Sequence, residues 1–147
     1  MSTPAFITGD FNAQPHSAVY KEITRAEHKR ELRWIDSYIA ADNPECNRHT
    51  GIGCTAGRDA IGGDLENPAR NVDERIDYIF VVPSAPESAC TIQEQGTGLF
   101  ADQPNPFADQ PCGPFPLPIC WASDHNGTRA TLSCERSAAH DFSLASW

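Results

Sequence analysis

Three short stretches of the chain carry side chains that could perform hydrolytic chemistry together: Gly9-Asp10-Phe11-Asn12, Arg75-Ile76-Asp77-Tyr78 and Ser123-Asp124-His125-Asn126. Asp10, Asp77 and Asp124 are carboxylates, the ligand type that hard cations such as Mg2+ and Mn2+ prefer. A histidine such as His125, paired with an Asp, can act as a base or position a water. Asn12 is a neutral donor able to hold a phosphoryl oxygen without repelling it. Cleavage of a phosphodiester needs these provisions together: a cation to neutralise phosphoryl oxygens, a group that handles the proton of the attacking water, and neutral donors.

Taken singly, each stretch has a plainer reading. Gly-Asp-x-Asn is a common Asx-type turn after a strand. Asp77 is equally a buried carboxylate tied to Arg75 or to a backbone amide. An Asp-His pair is more often surface than catalytic. Order and context set the three apart from these readings. Residues 5–8 are a short apolar run stopped at Gly9, a buried strand followed by a turn. Ser17 offers an N-cap for a helix running to about Lys29, with Ala18, Val19, Ile23 and Ala26 at helical spacing. A second amphipathic stretch, Leu32 to Ala40, carries Trp34, Ile35, Tyr38 and Ile39 as core candidates. Residues 42–73 are rich in Gly, Asn and Asp and read as loop, with a short strand near Cys54 and Thr55.

The clearest strand is Arg75 to Val82, closed by Pro83; its β-branched and aromatic run fits a central position. Residues 89–95 and 127–134 read as the next strand and the last. Between them, residues 96–121 form a Pro-rich loop containing Phe-Ala-Asp-Gln-Pro twice, at 100–104 and 107–111. Its place directly before Asp124 and His125 favours a rim around the site, the alternative being a disulfide-pinned decoration.

The set GDFN, RIDYIFV and SDHNGTRATL resembles the last three motifs of the endonuclease/exonuclease/phosphatase superfamily, which includes DNase I-like nucleases, abasic-site endonucleases, sphingomyelinases and inositol polyphosphate phosphatases. The resemblance covers residues 5–40 and 74–134. It implies an α/β (α+β) fold: half of a four-layer α/β sandwich of the DNase I-like type, mainly one mixed or antiparallel sheet with flanking helices. It makes Asp10 a carboxylate that orients or deprotonates water, assists the leaving group, or binds the Mg2+ (or Mn2+). Asn12 would contact the scissile phosphate, Asp77 would accept a hydrogen bond from His125, Asp124 would help hold the metal, and His125 would act as base or phosphate-stabilising cation. Which of Asp10 and His125 activates water stays open.

The resemblance also expects an earlier Asn, a principal metal-binding Glu, and a Tyr, Arg or His of the phosphate pocket, none of which has a matching position here. Residues 1–147 are therefore read as the carboxy-terminal part of one such domain, with a missing amino-terminal half as a partner and an apolar sheet face for that half to cover. The implied function is metal-dependent phosphodiester hydrolysis, nuclease-like. The alternatives are a phospholipase C/sphingomyelinase, a sugar-phosphate phosphatase, or a non-catalytic half-domain; loops rather than the motifs select the substrate, DNA, RNA or a phospholipid head group.

Composition narrows the setting. A net charge of −9 argues against tight, sequence-blind nucleic-acid binding, and the one basic cluster (Arg25, His28, Lys29, Arg30, Arg33) reads as a solvated helix face. There is no membrane-spanning apolar stretch and no visible secretory signal. Six cysteines without a CxxC pair read as disulfides Cys46–Cys54, Cys112–Cys120 and Cys90–Cys134, against a zinc site at Cys46, His49 and Cys54. Disulfides imply a secreted or periplasmic protein. The sequon Asn126-Gly127-Thr128 abuts His125, where a glycan would block the site, and is read as coincidental.

Overall fold

A computed structural model of the chain describes residues 4–25, 34–59, 61–67, 69–82, 90–103, 120–134 and the backbone of 140–146. Within them lie six strands and two short α-helices: β1 (Ala5–Asp10), α1 (Ala18–Thr24), β2 (Ile35–Asp36), α2 (Ser37–Ala40), β3 (Asp77–Val82), β4 (Cys90–Phe100), β5 (Gly127–Cys134) and β6 (His140–Ser146). They form two antiparallel three-stranded sheets, ordered β1-β3-β2 and β4-β5-β6.

The expectation of mainly one sheet is thus corrected to two. β3 uses both of its edges, one on β1 and one on β2. The strand that follows it has no edge of β3 left to join. It pairs with β5 instead, and the second sheet packs on the first face to face. Ile79 and Val81 of β3 meet Ala130 and Leu132 of β5 and Cys90 of β4, with Phe6 and Ile92 at the margin. Period-2 alternation sends Tyr78 and Phe80 to the other face, where they cluster with Phe11 and Tyr20. Each face of β3 is covered, which is why all six of its residues are buried.

Ser17 caps α1 as expected, its Oγ accepting the Tyr20 N–H at 3.2 Å. The helix stops at Thr24 rather than near Lys29: Arg25 is already extended, and the Thr24 hydroxyl bonds back to Tyr20 O. Of the basic cluster, Arg25 is exposed, and His28, Lys29, Arg30 and Arg33 lie outside the described residues. The amphipathic stretch ending at Ala40 begins its described part as a strand and is helical only over Ser37–Ala40, with Tyr38 buried.

β1 extends through Gly9 and Asp10, and β4 runs on through Gly96 to Phe100, residues expected to open the long loop. The pairing of β4 with β5 shifts register between Gln93 and Gly98, so the strand tolerates the Gly96 turn as a bulge. Residues 104–119, most of the Pro-rich segment, lie outside the described residues. β6, which sequence periodicity did not reveal, completes the second sheet.

Cys46–Cys54 and Cys90–Cys134 are disulfides, as expected. The first closes off the alternative zinc site. Cys120 is also disulfide-bonded; Cys112, its expected partner, lies outside the described residues. Among the described residues no helix is long and apolar enough to cross a membrane. The exposed large hydrophobic residues there, Ile7, Val19, Ile39, Ile52 and Ile61, come from five separate segments, so the expected apolar sheet face is not seen among them.

Candidate active site

Register, not proximity in sequence, builds the site. In the β1–β3 ladder Asp10 stands directly opposite Asp77, so both side chains leave the same face of the sheet. The Phe11 N–H donates to Ile76 O at 2.9 Å, which makes that neighbouring pair the hydrogen-bonded one. Asp10 and Asp77 are then a non-hydrogen-bonded pair, the kind in which side chains approach closest. Their face is the one that carries Ile79 and Val81 towards the second sheet. Two carboxylates placed opposite each other repel and destabilise the ladder unless a proton or a cation lies between them.

His125 arrives from the turn before β5. Its Nδ1 lies 2.9 Å from Asp77 Oδ2. A carboxylate can only accept, so an ionised Asp77 places the imidazole hydrogen on Nδ1 and leaves the lone pair on Nε2. Asp77 is 3% exposed, whereas Asp10 is exposed and His125 half-buried, so the cluster runs from the interior to solvent. Ligand atoms of Asp10, Asp77 and His125 all lie within 4.8 Å of one another, the one such group among the described residues. Two carboxylates and an imidazole are a donor set suited to Mg2+ or, still better with its nitrogen, Mn2+. The facing carboxylates fit a cation on electrostatic grounds as well.

Asn12 has φ 48°, in the left-handed region, and its N–H donates to Asp10 Oδ1 at 2.7 Å. The Asx-type turn read from Gly-Asp-x-Asn is therefore real, and it orients Asp10 while leaving the Asn12 side chain exposed beside it. Asp124, expected as a metal ligand, is not in the three-residue group. Its Oδ1 accepts from Ser123 Oγ at 3.1 Å, and the same Oγ accepts the His125 N–H at 3.2 Å.

Asp77 is not tied to Arg75. That arginine donates from Nη2 to Asp36 Oδ2 at 2.7 Å on the other side of the sheet. Asn126 is 3% exposed, donates to Cys54 O and accepts from Arg58, so in the folded chain the amide of the sequon is engaged inside the protein.

Thr55 and Arg58, which no motif marked, also meet the site. Thr55 Oγ1 accepts the N–H groups of Ile76 and Asp77. Arg58 is buried among the residues flanking His125. The only signal that could have found them is their oddity: an Arg and a Thr in a Gly-rich loop beside a cysteine.

No curated protein and no solved structure matches the chain. The sequence model of the endonuclease/exonuclease/phosphatase family does match, over residues 1–125, a span that contains the first two motifs, the third as far as His125, and both facing carboxylates. With that coverage, and with Asp10, Asp77 and His125 brought together from separate motifs, the chain belongs to the endonuclease/exonuclease/phosphatase family.

Proposed function

We propose that this protein is a metal-dependent phosphodiester hydrolase of nuclease type, using Mg2+ or Mn2+. The observation that carries the reading is the meeting of Asp10, Asp77 and His125, three residues from three motifs, at one end of the first sheet. A divalent ion there would supply charge neutralisation to the phosphoryl oxygens. Asp10, from the three-residue group, would be its carboxylate ligand, and Asp124, from the turn that carries His125, would be the second. Asp77 holds His125 through Nδ1, which leaves Nε2 to take a proton from water or, once protonated, to steady the phosphate. Asn12 donates to a phosphoryl oxygen from the turn beside Asp10.

Among the described residues few side chains would reach such an ion, whereas Mg2+ prefers about six ligands. The reading therefore includes a Glu on a further strand, from the amino-terminal half of such a domain, as the ion's remaining anchor. The disulfides favour an oxidising compartment, outside the cytoplasm.

The test is hydrolysis of plasmid DNA and of a chromogenic phosphodiester with Mg2+ or Mn2+ against EDTA, on this chain beside its His125→Ala variant. Metal-dependent cleavage that the variant loses supports the reading. Cleavage that persists in EDTA or in the variant sinks it. If the folded chain cleaves nothing, the assay is repeated with an amino-terminal half of the family supplied, and inactivity there too overturns the hydrolase reading. A panel with a sphingomyelin analogue and a sugar phosphate separates nuclease from lipid or sugar-phosphate specificity.

A further inference from the structure

Residues 54–58 hydrogen-bond to Asp77 on one side and to Ser123 and Asn126, which flank His125, on the other, although none of them belongs to the three motifs. On one side, Thr55 Oγ1 accepts the N–H groups of Ile76 and Asp77 at 3.1 and 3.2 Å, fixing the backbone from which the buried carboxylate projects. On the other, Thr55 O accepts the Asn126 N–H at 2.6 Å, and Cys54 O accepts from Asn126 Nδ2 at 3.0 Å. The disulfide to Cys46 anchors the start of this segment. Gly57 (φ 130°) keeps it against residue 73, where a Cβ would come within 2.1 Å of Asp73 Oδ1.

Arg58 completes the arrangement. Its Nη1 donates to Ser123 O at 3.2 Å and its Nη2 to Asn126 Oδ1 at 3.0 Å, one acceptor on each side of His125. Its Nε donates to Arg70 O at 3.3 Å, and its guanidinium carbon lies 3.6 Å from the ring centre of Trp121. Burial lowers its pKa to about 10, opposed by Asp124 and Asp102. Burying a cation is costly. What a guanidinium supplies that an apolar side chain cannot is a rigid planar fork that reaches two acceptors at a fixed separation. Here those acceptors bracket the one imidazole of the site.

We propose that Arg58 is a positioning residue: by clamping Ser123 and Asn126 it holds His125 Nδ1 against Asp77, which Thr55 presents from the opposite side. Its kinetic consequence rests on the hydrolase reading above, but its structural consequence does not.

The test uses the 147-residue chain and its Arg58→Lys and Arg58→Gln variants. The first readout is the imidazole 1H–15N spectrum of metal-free protein, with His125 assigned from His125→Ala. Wild type shows a single tautomer with a slowly exchanging Nδ1–H; the variants show a tautomer mixture and a rapidly exchanging proton. The second readout is hydrolysis of a chromogenic phosphodiester, where kcat falls about 10- to 100-fold while KM stays within about twofold. Lys keeps the charge and does not rescue, because a single ammonium cannot span both acceptors. Variants that lose stability but keep the wild-type tautomer and kcat assign Arg58 to the fold alone and overturn the proposal. If neither variant folds, Asn126→Ser removes the Oδ1 acceptor, and an unchanged His125 spectrum there overturns it as well. A wild-type chain inactive even when complemented refutes the hydrolase reading instead, and the spectra still decide the role of Arg58.

Discussion

Asp36 and Asp77 are buried carboxylates on opposite faces of the first sheet, and their surroundings differ in kind. Asp36 stands opposite Phe80 in the β2–β3 ladder and so shares the aromatic face. It accepts from Arg75 Nη2 at 2.7 Å, from the Tyr20 hydroxyl at 2.9 Å and from the Tyr38 N–H at 3.1 Å. Its charge is met by a cation 1% exposed, which lies over the rings of Tyr78 and Tyr38. Among the described residues Nε and Nη1 of Arg75 have no acceptor, and the ring faces stand in for one. Burial pushes the Arg75 pKa down, but the adjacent carboxylate more than offsets this and holds it up.

Asp77 faces a second carboxylate and a half-buried imidazole instead. One face of the strand is electrostatically closed; the other needs something from outside. The contrast separates a carboxylate whose charge is met within the fold from one that the proposed function puts to use, although both are buried.

The sharpest way to break that contrast is to neutralise one carboxylate on each face. Asp10→Asn is expected to lower the rate of phosphodiester hydrolysis by about 10²- to 10⁴-fold, read as kcat under saturating Mg2+. Asp36→Ala should do the reverse. It strands Arg75 as an unpaired buried charge and should cost about 3–5 kcal/mol in a urea titration, while activity per folded molecule is unchanged.

An intermediate effect is expected from pH. Burial, then the Asp36 carboxylate, raises the Tyr20 pKa to about 12 from its ordinary 10.0, with Arg75 opposing. Because the folded state favours the neutral phenol, its contribution to stability is complete below pH 10 and lost as pH rises towards about 12. Denaturation midpoints from pH 8 to 12, compared with Tyr20→Phe, read this directly; a flat wild-type profile would contradict the closed-face description. The smallest effect is on the open face. In metal-free protein Asp10→Asn relieves a like-charge cross-strand pair and should raise stability by about 0.2–1 kcal/mol. That gain should vanish when Mg2+ stabilises the wild type.

Much of this was legible in the chain because it is local. The run Asp77–Val82 could be nothing but a buried strand, Ser17 is a good N-cap, and two cysteine pairs were assigned correctly. The errors came where tertiary contacts outrank local preference. The periodicity that suggested a helix past Arg25 ignores the extended backbone there, and the residues before Ser37 pair with β3 rather than coil. β6 carries no strong alternation and is a strand because β5 offers it an edge. Arg58 and Thr55 were invisible because neither sits in a motif; their value lies in contacts with residues about 20 and 65 positions away along the chain.

By itself, the sequence determined which functional groups exist and which lie near strand ends: a carboxylate at the end of β1, another at the head of β3, an imidazole before β5. Only the tertiary structure decided that Asp10 would face Asp77, since that depends on a register in which a shift of one residue would turn the carboxylate away. It likewise decided that Asp36, rather than Asp77, would take Arg75: strand alternation would put Arg75 on the face of Asp77, two residues on, but Arg75 precedes β3 and its guanidinium lies over the Tyr78 ring on the Asp36 side.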